Sequence, residues 1–356
     1  MRKHIFNAGP CKLSDSLLEN TSKAILELDN AGQSILEVSH RGKEFLAIMD
    51  DTIALMHEVM NIPDDFEILF LGGGASMQFA MIPYNFLEGK AFYLNTGTWS
   101  TKAVKEAALW GEVLEVSSKD KEFTYIPKDY DIPADMDYAH ITTNNTIKGT
   151  EIFTDMDCPV PLLADMSSDF LSRPVDFSKY AMVYGGAQKN VGPAGVTFVI
   201  IRKSMLDKVV DRPIPTMLKY SIHVEKGSMF NTPPVINIFA IRETLKWVKS
   251  MGGVEAMDKL AQERADLLYK AIDQSSMFKG SVAKADRSRM NICFIMEDKY
   301  EALQADFIKF AGERNIVGIK GHRSVGGFRA STYNASTIDD VDALVKAMKE
   351  FEAKNA

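Results

Sequence analysis

From Glu67 to about Ile201, short apolar runs of strand character alternate with stretches of helical periodicity. Glu67–Leu71, Lys90–Leu94, Val113–Val116, Tyr138–Thr142, Pro161–Ala164, Ala181–Tyr184 and Val196–Ile201 read as strands. Met77–Leu87 and Ser100–Trp110 read as helices. This pattern leaves few architectures open. It predicts an α/β fold in which a mostly parallel central sheet is covered by helices. Ahead of it, Ser16 to about Ile62 reads as two helical pieces separated by the polar Ser39-His40-Arg41-Gly42.

The pattern changes after Pro233-Pro234. A helical region runs from about Val235 to Gln274, interrupted at Met251-Gly-Gly253. Beyond it, Met290–Met296 and Gly326–Tyr333 read as strands and Tyr300–Arg314 as a helix. The last helix puts Ile338, Val341, Leu344, Val345, Met348 and Phe351 on one stripe, and Thr337 with Asp340 has capping-box spacing. At 356 residues the chain exceeds the ~250–300 that one core usually serves. The expected division is a large domain over 16–258 and a smaller α+β domain built from 1–15 and 259–356.

One segment carries the chemistry. Met182-Val-Tyr-Gly-Gly-Ala-Gln-Lys189 leads from an apolar run into a glycine-rich turn, and a second apolar run follows to Ile201. A lysine between two buried strands is disfavoured while charged. Such a residue suits a neutral, nucleophilic amine that forms a Schiff base with a carbonyl. An exposed hairpin lysine is the competing explanation. Upstream, Pro161-Leu-Leu-Ala-Asp165 is a buried strand ending in a carboxylate, at the rim where open α/β sheets bind ligands. A lysine for an aldehyde and an aspartate for a pyridinium nitrogen are the two protein groups that pyridoxal 5'-phosphate chemistry requires.

Three further loops leave strand ends. Leu71-Gly-Gly-Gly-Ala75-Ser76-Met-Gln-Phe79 opens a helix, where free amides favour an anion, and it matches neither GxGxxG nor a lysine-bearing nucleotide loop. Asn95-Thr-Gly-Thr-Trp99 places an indole that fits either core packing or stacking on a flat ligand. Asn144-Asn-Thr146-Ile-Lys-Gly149 is a polar turn whose threonine fits either the turn itself or a contact to a phenolic oxygen.

Composition narrows the function classes. With 41 Lys and Arg against 48 Asp and Glu, the net charge of −7 argues against nucleic acid or an anionic membrane as partner. No apolar run approaches ~20 residues, and Met1-Arg-Lys-His-Ile-Phe lacks the apolar stretch of a signal peptide. Cys11, Cys158 and Cys293 form no CxxC and the six histidines no HExxH, so a cytoplasmic protein without a metal site is expected.

Taken together, Asn7-Ala-Gly-Pro10, Ser39-His-Arg41, Gly73-Gly-Ala-Ser76, Asn95-Thr-Gly-Thr-Trp99, Ala164-Asp-Met-Ser-Ser168, Leu171-Ser-Arg-Pro174, Gly185-Gly-Ala-Gln-Lys-Asn190, Asn231-Thr-Pro-Pro234 and Gly321-His-Arg-Ser-Val-Gly-Gly-Phe-Arg-Ala-Ser-Thr-Tyr-Asn334 carry a resemblance. The chain resembles the phosphoserine aminotransferase family, fold-type-I pyridoxal-phosphate enzymes of the class V aminotransferases. The resemblance implies that Lys189 holds the cofactor aldehyde, Asp165 pairs with the ring nitrogen, Trp99 stacks on the ring and Thr146 meets its phenolic oxygen. It gives the cofactor phosphate to Ala75, Ser76 and Gln188, with Asn231 and Thr232 reaching across from a second subunit of a homodimer. Ser76 stands where many members carry an arginine. The implied reaction is a ping-pong transamination, with Lys189 as Schiff base and proton shuttle. L-glutamate and 3-phosphohydroxypyruvate are its substrates, and O-phospho-L-serine is the product with 2-oxoglutarate. Arg329 would clamp the α-carboxylate, while His40-Arg41 and His322-Arg323, at least partly from the partner subunit, would surround the substrate phosphate. The alternatives are another class V enzyme, either an alanine–glyoxylate-type aminotransferase or a cysteine desulfurase, and a non-catalytic α/β nucleotide-binding protein.

Overall fold

The structure is a computed structural model and describes residues 2–355. The chain begins with β1 (His4–Ile5), α1 (Asp15–Leu26) and α2 (Lys43–Met60). The main alternation follows as β2 (Phe66–Leu71), α3 (Gly74–Phe86), β3 (Lys90–Asn95), α4 (Thr98–Ala107) and β4 (Glu112–Ser117). Next come β5 (Ala139–Thr142), β6 (Leu162–Asp165), β7 (Met182–Gly186) and β8 (Thr197–Arg202). Three helices lead away from the sheet: α5 (Tyr220–Glu225), α6 (Val235–Ser250) and α7 (Gly253–Gln274). The chain closes with β9 (Phe278–Gly280), β10 (Asn291–Met296), α8 (Gln304–Gly312), β11 (Ile316–Val317), β12 (Phe328–Ser331) and α9 (Ile338–Asn355).

The large sheet has seven strands in the order β2-β8-β7-β6-β5-β3-β4. Pairings from β4 through β7 are parallel, and β8 runs antiparallel to both β7 and β2. This is the mostly parallel, helix-covered sheet that the alternation predicts. β5, β6 and β7 are buried along their whole length, because helices cover both faces of a parallel sheet. One face packs on α2 and α6 through Phe45, Met56, Ile238 and Leu245. The other packs on α3 and α4 through Phe79, Ile82 and Ala103. β4 lies at the edge and alone carries solvent-facing Glu112 and Glu115 on the outer strand.

The smaller sheet is antiparallel, β12-β10-β9, and β1 pairs in parallel with β11 beside it. Its core centres on Phe278, Phe294, Phe307, Phe328 and Phe351. α7 joins the two cores: Val254 and Met257 pack in the large one, and Ala265, Leu268 and Ile272 in the small one. The capping box forms as its spacing predicts. Thr337 N donates to Asp340 Oδ2 at 2.8 Å, and Asp340 N donates to Thr337 Oγ1 at 3.2 Å.

Three boundaries differ from expectation. α1 stops at Leu26 because Asp29 and Asn30 take positive φ in the turn that follows. The helix expected from Tyr300 begins as a 3-10 turn, Asp298–Leu303, and becomes α-helical at Gln304. The strand expected from Gly326 starts at Phe328, since Gly326 and Gly327 adopt φ of 74° and 60°, outside the β region.

Candidate active site

Lys189 sits in the turn between β7 and β8. That turn is closed by Ala187 N donating to Val196 O at 2.9 Å and Gly192 N donating to Ala187 O at 2.8 Å. β7 reaches it through a passage with no space for a side chain. A Cβ on Gly185 would lie 2.6 Å from the Phe198 ring and 2.8 Å from the Ser167 backbone. The turn points inward, so Lys189 is only 9% exposed rather than solvated. Its Nζ donates to Thr146 Oγ1 at 2.6 Å. Burial pulls the amine down to about 8; the Asp165 carboxylate resists, Arg329 adds to the fall and Asp169 opposes it.

Thr146 is presented by a turn that Asn145 holds in shape. The Asn145 Oδ1 accepts from Ile147 N and Lys148 N, each at 3.2 Å, and its Nδ2 donates to Thr96 O at 2.6 Å. Gly149 closes the turn at φ 88°. Thr96 belongs to the loop that starts α4. There Ser100 Oγ accepts from Thr96 N and Gly97 N and donates to Asn95 Oδ1 at 2.8 Å. This knot fixes the first turn of α4 and with it Trp99, whose ring centroid lies 5.8 Å from Lys189 Nζ. Trp99 Nε1 is buried without a hydrogen-bond partner among the described residues.

Asp165 ends β6, two strands from β8 and beside β7. It is buried, and Oδ1 accepts from Ser167 N at 2.9 Å and Ser167 Oγ at 2.6 Å. Oδ2 accepts no hydrogen bond among the described residues. Burial raises the carboxyl above the usual carboxylate range, while Lys189 and the two Ser167 bonds pull it back. Among the described residues no helix begins directly after Asp165, so it is not an N-cap.

Cations approach from the smaller sheet. Arg329 on β12 lies opposite Cys293 on β10, and its Nη1 donates to Thr146 O at 3.1 Å. Its Nε is buried without a hydrogen-bond partner among the described residues. His322 and Arg323 lie in the loop before β12, closed by Gly321 N donating to Gly327 O at 2.9 Å. His322 is held below the usual imidazole range, first by burial and then by the positive charges of Arg329, Arg323 and Lys102. These groups therefore share one neighbourhood with the lysine.

The remaining candidates lie apart from this cluster or on its margin. Ala75 and Ser76 occupy the first turn of α3, after Gly73 at φ 88°. Gln188 is half-buried beside Lys189, and its carbonyl accepts from Cys11 N at 3.1 Å. His40 and Arg41 precede α2, and Asn231 and Thr232 precede α6. Arg41, Asn231 and Thr232 are exposed. No hydrogen bond among the described residues ties these four to Lys189, Asp165 or Arg329.

Two residues at the site escaped the sequence analysis. Asp169 is buried, accepts from Thr143 Oγ1 at 2.6 Å, and is pushed up to about 6, chiefly by burial. Its spacing of one polar loop after Asp165 was the available signal. Lys102 lies one helical turn past Trp99, with Nζ 4.4 Å from that ring's centroid. Burial pushes the Cys11 and Cys293 thiols up to about 12 and also raises that of Cys158, which disfavours the thiolate at each.

Comparison with known proteins agrees with this geometry. The family model described as Aminotransferase class-V matches residues 4–344. The phosphoserine aminotransferase of Bacteroides fragilis is 60% identical over 353 residues, covering 99% of each chain. That of Flavobacterium psychrophilum is 46% identical over 358 residues, covering 99% of this chain and 100% of its own. Among solved structures, phosphoserine aminotransferase from Bacillus circulans subsp. alkalophilus is similar with a TM-score of 0.96 and 40% identity, covering 100% of this chain and 99% of that one. A PLP-bound phosphoserine aminotransferase from Trichomonas vaginalis gives 0.94 and 39%, covering 98% and 100%. Identity of this order from end to end, on a fold with the lysine turn, aspartate and tryptophan in place, means that the chain belongs to the class V aminotransferases, among the phosphoserine aminotransferases.

Proposed function

We propose that this protein is a pyridoxal-phosphate-dependent aminotransferase that passes the amino group of L-glutamate to 3-phosphohydroxypyruvate, releasing 2-oxoglutarate and O-phospho-L-serine for serine synthesis. The observation that carries this reading is the buried Lys189 amine, 2.6 Å from Thr146 Oγ1 and facing the Trp99 ring, with the Asp165 carboxylate acting on it. The residues fit the cofactor. Asp165 keeps Oδ2 free for a ring N–H, Trp99 offers a flat face, and Lys189 offers a buried amine. Thr146 would meet the phenolic oxygen. Ala75, Ser76 and Gln188 would hold the phosphate, with Asn231 and Thr232 supplied by a second copy of the chain.

Bound here, pyridoxal phosphate supplies an aldehyde for the amino group and a ring that draws electrons from the substrate α-carbon. The protein does the rest. Asp165 keeps the ring nitrogen protonated, because a buried carboxylate beside a cationic ring favours the charged pair. Lys189 would hold the aldehyde and, once free, could carry the proton at the substrate α-carbon; burial lowers its basicity and so favours the neutral amine that both tasks need. Arg329 receives the α-carboxylate through its planar fork. His322 and Arg323 would meet the substrate phosphate together with His40 and Arg41, at least partly supplied by the second copy of the chain. We place the protein in the cytoplasm, which its three unpaired cysteines suit, and take a homodimer as the working unit.

The test joins a spectrum to an assay. Wild-type protein should bind pyridoxal phosphate with a visible absorbance band and convert glutamate plus 3-phosphohydroxypyruvate to phosphoserine. Lys189→Ala should lose both the band and at least ~1000-fold of the turnover. Turnover retained by Lys189→Ala would overturn the reading.

A further inference from the structure

Lys102 is a cation at the mouth of the site for which the reaction above has no task. It stands on α4, one turn after Trp99, and its side chain is exposed. Its Nζ lies 4.4 Å from the Trp99 ring centroid, and Lys189 Nζ lies 5.8 Å from the same centroid. Some surface lysines in this protein settle on carboxylates, as Lys128 does on Asp286 at 2.9 Å and Lys249 on Glu58 at 2.6 Å, and others, such as Lys121 over Tyr125, rest on a ring as Lys102 does. Lys102 has no ion pair and no hydrogen bond among the described residues. Its positive charge acts on His322 together with those of Arg329 and Arg323.

Like charges gathered without a counter-ion repel one another. The arrangement is unfavourable in the free protein and is relieved when an anion enters. At an exposed site the Trp99 ring gives the ammonium only a weak resting place, so the flexible stem can leave it easily. We propose that Lys102 is a further substrate-binding residue, moving from the Trp99 ring to the phosphate group of the bound phosphorylated amino or keto acid. The proposal rests on the functional reading given above and adds a determinant of its preference for phosphorylated partners.

The charge of the ligand sets the expected size of the effect. A phosphate monoester carries roughly two negative charges at neutral pH and the glutamate side chain one, so losing the ammonium should cost the first about twice the energy. Lys102→Gln should therefore raise KM for O-phospho-L-serine about tenfold and KM for glutamate about threefold, with the cofactor absorbance band unchanged. Lys102→Arg should restore most of the loss, and the tenfold difference should shrink in ~0.5 M salt, as expected for an exposed charge. Equal losses for the two substrates would show that Lys102 merely supports Trp99, and no loss would show a solvated lysine; either overturns the proposal. Wild-type protein inert toward the phosphorylated substrate would sink the functional reading itself and this proposal with it. Normal wild-type turnover with an insensitive Lys102→Gln would sink the proposal alone.

Discussion

Lys189 is a basic side chain held where a charged amine is disfavoured, and that tension is measurable. Desolvation destabilises the ammonium form, so the proton leaves at lower pH than in water, and the amine is pulled down to about 8. In cofactor-free protein, labelling of Lys189 by an amine-specific reagent, followed by peptide mass analysis, should rise with pH through a midpoint of about 8. A midpoint near the ordinary lysine value of about 10.4 would place the amine in water. Asp165→Asn makes a second test. It removes the charge that keeps a ring nitrogen protonated, so turnover should fall at least ~100-fold in a transamination assay while the absorbance band persists. Both residues were legible in the sequence because residue type and strand context point the same way. The positions of Lys102 and Asp169 beside them were not, because side-chain direction is decided by packing between distant loops.

Among the elements, those with local causes could be read and those with distant causes could not. Buried apolar runs gave β5, β6, β7 and β8 to within two residues, and the Thr337–Asp340 box marked the start of α9. The 3-10 turn before α8 and the early end of α1 carried no comparable signal, since neither breaks the hydrophobic period. The glycines of the lysine turn were legible as glycines, but not the reason for each. At Gly185 the reason is space: any Cβ meets the Phe198 ring and the Ser167 backbone, and Ser167 itself braces Asp165. Gly185→Ala should destabilise the protein by ~1–3 kcal/mol in urea denaturation. It should also weaken cofactor retention, because the displaced Ser167 carries the aspartate with it. Gly312→Ala, at the end of α8 with open space around it, should leave stability within ~1 kcal/mol of wild type. Equal effects of the two substitutions would refute the packing argument.

For the whole molecule, class and sheet content followed from the alternation, but strand order did not: nothing local marks β8 as antiparallel or seats it between β7 and β2. The approach of Arg329 to Lys189, and of Lys102 to His322, is likewise a product of how the smaller sheet faces the larger one. The same scale governs Asn231 and Thr232. Both are exposed at the head of α6, next to Phe230, a large apolar side chain that is 41% exposed. Exposed polar residues beside an uncovered aromatic suit a segment that docks on a second copy. If each site borrows them from the partner, two defective variants should repair one another. Lys189→Ala lacks the amine, and the double variant Asn231→Ala with Thr232→Ala lacks the borrowed phosphate contacts. In a mixed dimer one site carries both defects, and the other carries neither. Random reassortment of equal amounts makes half the dimers mixed, so activity should recover to about a quarter of wild type at low cofactor concentration. Recovery should appear only after the subunits have been allowed to exchange. No recovery after exchange, with mixed dimers verified by native mass spectrometry, would place Asn231 and Thr232 outside the partner's site.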